Sequence, residues 1–227
     1  MLAFCRQNLM KFLASVSLAG SCGAADPGAS LAQLPAQLVT ELVDDTLECS
    51  WQPDDRKAVL SLLAKDPRAR VRCAIAQAAS SLQDPLCGEA QELLRTLAAD
   101  PAWPVREAAA QALGRSLKRA TVSTRVRTVC EWALAESAPQ RLAIARALAR
   151  PIQVPAADVA LTHLARDPLA SVRRAALLAM GSQSWLDDPV VSETAQAALN
   201  DSDRRVRRVA ARLLARAIRG ERVGQRA

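Results

Sequence analysis

An aspartate, usually followed by proline, stands five residues ahead of a Val-Arg pair and an alanine-rich run at four places. They are Asp66-Pro67 before Val71-Arg72, Asp100-Pro101 before Val105-Arg106, Asp167-Pro168 before Val172-Arg173, and Asp201-Ser202 before Val206-Arg207. The valines step by 34, 67 and 34 residues, and the double step holds one more unit, Gln140–Leu148, with Gln140 in the valine position. Five units of about 32–35 residues match the length of a helix–turn–helix repeat. So short a unit cannot bury its apolar face alone. It must stack on its neighbours, which points to an array rather than a closed core.

The composition agrees with helices. Half of the 227 residues are apolar and only 3% aromatic, with no Tyr, and the apolar half is mostly Ala, Leu and Val. Alanine is the best helix former, and small side chains let helices approach closely. A sheet protein would draw on more Ile, Thr, Tyr and Phe. Each unit parses into two helices. The first are expected at 55–65, 88–99, 122–136, 156–166 and 189–200, and the second begin near Ala69, Trp103, Ala138, Ala170 and Arg204. In the second helices Val71, Ala74, Ile75, Ala78 and Ala79 fall at helical spacing and match Val105, Ala108, Ala109, Ala112 and Leu113 of the next unit. The proline after the aspartate ends one helix and tolerates the start of the next.

The motif Asp-Pro-x-x-x-Val-Arg-x-Ala-Ala resembles the HEAT repeat, in particular its short bacterial, bilin-lyase-like form, over residues 54–219. The resemblance implies an all-α, right-handed α-α superhelix, a solenoid of about five HEAT-like helix pairs, at 54–86, 87–119, 120–151, 152–186 and 187–220 of a domain spanning 31–227. It also implies that the repeated acids and arginines cap turns and form a ladder between neighbours: Asp66, Arg72, Asp100, Arg106, Asp167, Arg173, Asp201 and Arg207. The third unit lacks both the valine and the Asp-Pro, so a bend or looser packing is expected there.

Residues 1–30 stand outside the array. Read as an export signal, Arg6 and Lys11 precede an apolar run and Leu18-Ala19-Gly20-Ser21-Cys22, which resembles a lipobox with Cys22 as the lipidated residue. Read as structure, Leu9, Phe12, Leu13 and Val16 share one face of an amphipathic helix capping the array, and this is the preferred reading, with a cytoplasmic location. Glu41, Asp44, Asp45 and Glu48 then make a polar, acidic end. No apolar stretch is long enough for a transmembrane span. The six cysteines show no Cys-x-x-Cys spacing and no partner histidine, so neither a zinc site nor any other cofactor is expected. Cys73 occupies a repeat position held elsewhere by Glu107, Arg174 and Arg208, and is expected at the surface.

Catalysis has little to work with. His163 is the lone histidine, set among Leu161, Leu164 and Ala165, and no Gly-rich phosphate loop is present. Binding has more. In HEAT arrays the second helices line the concave surface, and residues four apart stack on one helix face. Two, six and ten residues past each valine position, that face holds Arg115, Arg146, Arg150, Arg174, Arg208, Arg212 and Arg216. Of the net charge of +7, the segment 201–227 alone supplies nine arginines against three acids. Such a face attracts an acidic partner, and arginine's planar fork suits carboxylates and phosphates. The expected function is a non-enzymatic scaffold for a protein with an acidic surface. The alternatives are nucleic-acid binding, as in the HEAT-like alkylpurine DNA glycosylases, and bilin-lyase-like chromophore attachment. Nucleic-acid binding would call for aromatics among the arginines. Trp51, Trp103, Trp132 and Trp185 fall outside that column.

Overall fold

The computed structural model describes residues 60–80, 86, 88–150, 154, 156–182 and 189–219. The N-terminal segment with Cys22, the acidic stretch to Glu48, Trp51, Trp185, Cys5, Cys49, Cys87 and the tail past Arg219 lie outside the described residues. Among the described residues there are nine helices and no strand: α1 (Ala69–Ala79), α2 (Gly88–Ala98), α3 (Trp103–Arg119), α4 (Val122–Ala133), α5 (Ala138–Ala147), α6 (Ala157–Leu164), α7 (Ala170–Met180), α8 (Pro189–Ala198) and α9 (Arg204–Arg219). Leu60–Leu63 adds a helical turn ahead of α1.

The second helices start where the repeat register places them, and the turns show why. The residues preceding α1, α3 and α7 (Arg68, Ala102 and Leu169) are extended and give no side-chain cap. The repeat aspartate does the work from two residues further back. Its Oδ1 accepts the N–H of Arg68, Ala102, Leu169 or Asp203 at 2.8 Å in each case. This Asx turn reverses the chain between the paired helices. Pro104 and Pro139 sit in the first turns of α3 and α5, where no intrahelical donor is lost.

The helices form two layers. In one, α1, α3, α5, α7 and α9 pack each on the next; in the other, α4 packs on α6 and α6 on α8. Within each unit the layers meet, α2 on α3, α4 on α5, α6 on α7 and α8 on α9. The core is the seam between them. Val71, Ile75, Val105, Leu113, Ile144, Leu148, Val172, Val206 and Leu213 enter from the second helices, and Leu94, Leu97, Val129, Trp132, Leu161, Leu164 and Val191 from the first. Buried alanines, among them Ala79, Ala109, Ala112, Ala145, Ala176 and Ala210, keep the second helices close.

The third unit is not loosely packed. α5 contacts both α3 and α7, and Ala143, Ile144, Ala145 and Ala147 are buried along it. Gln140, in the valine place, is half-buried. Its buried Trp132 fills the volume under α5, and Gln91 Nε2 reaches Thr128 Oγ1 at 3.4 Å to tie α2 to α4. What this unit lacks is local: Ala135 and Glu136 stand where the others have Asp-Pro.

Candidate interaction face

Three repeat arginines, Arg72, Arg141 and Arg173, bind in two directions. In each, Nη1 donates to carbonyls of its own turn, and Nε and Nη2 reach the aspartate of the next unit. Arg72 donates Nη1 to the Asp66 carbonyl at 2.6 Å, and Nε and Nη2 to Asp100 at 2.6 and 2.9 Å. Arg173 does the same with Asp167 O at 2.8 Å and Asp201 at 2.6 and 2.7 Å. Arg141, which follows Gln140 rather than a valine and so falls outside the Val-Arg motif, holds the equivalent place and donates Nε to Asp167 at 2.5 Å. Asp66, at the first described unit, takes Arg68 instead, with Nη2 to Oδ2 at 2.7 Å. Arg207 donates Nη1 to the carbonyls of Asp201 and Ser202.

The carboxylates respond. Burial opposes ionisation of Asp66 and Asp100. The hydrogen bonds from Arg68 and Arg72, with the neighbouring positive charge, outweigh it and hold both below the ordinary carboxylate range. At Asp201 the hydrogen bonds of Arg173 dominate, to the same effect.

The seven arginines expected to form a binding face divide into two groups. Of those ten residues past the valine position, Arg115 and Arg216 lie over the C-terminal end of the preceding second helix, and Arg150 packs against Gly114 within α3. Arg115 Nε donates to Ser80 Oγ at 3.0 Å, and Arg119 Nη1 to the Ser80 carbonyl at 2.7 Å. Arg150 Cδ lies 3.2 Å from where a Cβ on Gly114 would be, and Arg216 Nη1 3.2 Å from the equivalent point on Gly181. The guanidiniums of Arg115, Arg119 and Arg216 meet helix ends, where unpaired carbonyls and the helix dipole favour positive charge. The sequence carried a signal for this. Ser80, Gly114, Ala149 and Gly181 are small at the position just before, which leaves room for the next unit's side chain.

Arg146 is intermediate in character: half-buried, 3.7 Å from Glu107. Burial lowers its pKa, Glu107 opposes that, and the charges of Arg106 and Arg174 add to the lowering. Arg115 is lowered by burial and by Arg150. Both remain cations. Arg174 on α7 and Arg208 and Arg212 on α9 are exposed and make no ion pair among the described residues. Leu178, 50% exposed, sits one turn beyond Arg174 on the same helix.

Other candidates fall away from this face. Trp132 is buried and Trp103 is exposed at the start of α3, so no described tryptophan interleaves with the arginines. His163 is exposed on α6. Cys73 is half-buried and packs against the core rather than lying at the surface, and burial pushes its thiol up. Among the described residues no group of His, Cys, Asp and Glu could hold a metal ion, and no helix is long and apolar enough to cross a membrane.

Paired helices stacked in two layers, joined unit to unit by an aspartate–arginine ladder, define an α-solenoid repeat protein. Residues 56–124 match the family model described as HEAT repeats. No curated protein matches the chain. Among solved structures, an engineered protein is similar at 19% identity, covering 95% of this chain and 99% of its own, with a TM-score of 0.49. Cex1p is similar at 13% identity over 81% of this chain and 39% of its own, TM-score 0.48. YIBA of E. coli is similar at 21% identity over 84% of this chain and 75% of its own, TM-score 0.46. None of these comparisons bears on the bilin-lyase-like subtype.

Proposed function

We propose that this protein is a non-enzymatic interaction scaffold, and that the outward face of its second helices, from α5 to α9, takes an acidic segment of a partner protein. The observation that carries the reading is the exposed set Arg174, Arg208 and Arg212 on the adjacent helices α7 and α9, which make no ion pair among the described residues. Crowded cations raise each other's energy, and a carboxylate-bearing partner relieves that repulsion. Exposed Leu178, one turn beyond Arg174 on α7, gives an apolar contact that a purely ionic attraction would lack. The ladder arginines, and Arg115, Arg150 and Arg216, hold the solenoid that presents this face. We take residues 31–227 as one such solenoid and the cytoplasm as its compartment.

The test is a triple substitution of Arg174, Arg208 and Arg212 to Ser. Titrated with a fluorescein-labelled oligoglutamate decapeptide at low salt, the variant should bind at least about tenfold more weakly than the parent, with unchanged helicity by circular dichroism. Equal binding by both proteins would overturn the reading. Preference for duplex DNA over the peptide, with a steep loss of affinity as salt rises, would replace it with nucleic-acid binding.

A further inference from the structure

The ladder has one rung without its acid. At the junction between the second and third units, Arg106 is anchored as its counterparts are, with Nη1 donating to the carbonyls of Asp100 and Pro101 at 2.7 Å each. That anchoring turns the Nε–Nη2 edge of the planar guanidinium toward the third unit's turn, as in Arg72, Arg141 and Arg173. There the aspartate position is Ala135, and neither Nε nor Nη2 has an acceptor among the described residues. The same substitution strands a second donor. At the other turns the aspartate also accepts the backbone N–H two residues on; here that residue is Ser137, just before α5, with no side-chain cap and no acceptor for its N–H among the described residues. Nearby carboxylates are otherwise placed. Glu107 faces Arg146, and exposed Glu136 gives its carbonyl to Arg141 and makes no ion pair.

Three donors therefore converge on the space a carboxylate fills at every other described junction, and Arg106, Ala135 and Ser137 are all half-buried, so the space opens to solvent. We propose that this junction is a carboxylate-binding site, which takes one Asp or Glu side chain of an acidic peptide segment in place of the missing repeat aspartate. A carboxylate fits because it accepts the bidentate Arg fork and a backbone N–H together, the set of bonds Asp100 and Asp201 already make. The like charges of Arg146 and Arg174 beyond it favour a segment carrying more than one acid. The proposal rests on the scaffold reading and gives that face a fixed point at which the partner's register is set.

The test is Ala135→Asp, which supplies the acid from within the chain. It should raise the melting temperature by about 2–4 °C and weaken the oligoglutamate decapeptide about tenfold. Leu134→Asp adds the same charge one residue away, at a side chain 68% exposed, and should leave both readouts nearly unchanged. Arg106→Gln should weaken the peptide as Ala135→Asp does. If Ala135→Asp and Leu134→Asp bind the peptide alike, the site is wrong. In that case, loss of binding in the Arg174, Arg208 and Arg212 variant leaves the scaffold reading standing, and retention of binding there removes both. Displacement of the peptide by inorganic phosphate at equal concentration would also overturn the proposal, because it would mark a general anion site.

Discussion

At the scale of the residue, the repeat aspartate is the hinge of the architecture. One carboxylate accepts a backbone N–H that sets the turn and a guanidinium that fixes the neighbouring unit, and both jobs are visible at Asp100. Arg72 and Asp100 expose only 12% and 6% of their side chains, so deleting one partner leaves the other buried and unpaired. Asp100→Ala should cost roughly 2–4 kcal/mol in urea melts; a loss under about 0.5 kcal/mol would mean that the pair is solvated like a surface bridge. The same groups set the response to acid. Asp66, Asp100 and Asp201 all lie below the ordinary aspartate value of 3.8 when folded, so near and below that value the unfolded chain binds more protons. Their stabilisation is present in full well above pH 3.8 and is lost as the pH falls through the lower folded values. Thermal melts from neutral pH down to about 3 should therefore hold level at first and then drop. A flat profile through that lower window would contradict the ladder's role.

At the scale of the helix, what matters is how closely α1, α3, α5, α7 and α9 approach, and two glycines test it in opposite directions. A Cβ on Gly114 would meet the Ala147 carbonyl at 3.3 Å and Arg150 Cδ at 3.2 Å, backbone and mid-chain atoms that cannot swing aside. On Gly181 the tight neighbour is the far end of Arg216, at 3.2 Å, which can. Gly114→Val should then destabilise the protein by about 1–3 kcal/mol, whereas Gly181→Ala should be neutral or stabilise it by up to about 1 kcal/mol in the same melt. The starts of the second helices were legible in the sequence, because the Asp-Pro turn and the Val-Arg register fix them residue by residue. Arg141 was not, because the motif was keyed on the valine beside it. The packing of Arg115, Arg150 and Arg216 on the neighbouring second helix was also hidden. An arginine column looks the same in sequence whether it faces solvent or lies over the next helix. Only the small residues before it, Ser80, Gly114 and Gly181, mark the difference, and small residues are common in this chain for other reasons.

At the scale of the whole molecule, the solenoid separates structural from available charge. Along the second-helix layer some arginines are committed to ladder rungs and to neighbouring helices and build the stack, and among those left exposed Arg174, Arg208 and Arg212 lie on the adjacent helices α7 and α9. The proposed function depends on that set. The measurement that tests it most directly is backbone hydrogen exchange across the full chain with and without the oligoglutamate decapeptide. Slowed exchange confined to the second helices, strongest in α7 and α9, is the predicted result; protection centred on α6 and α8, or none at saturating peptide, would contradict it.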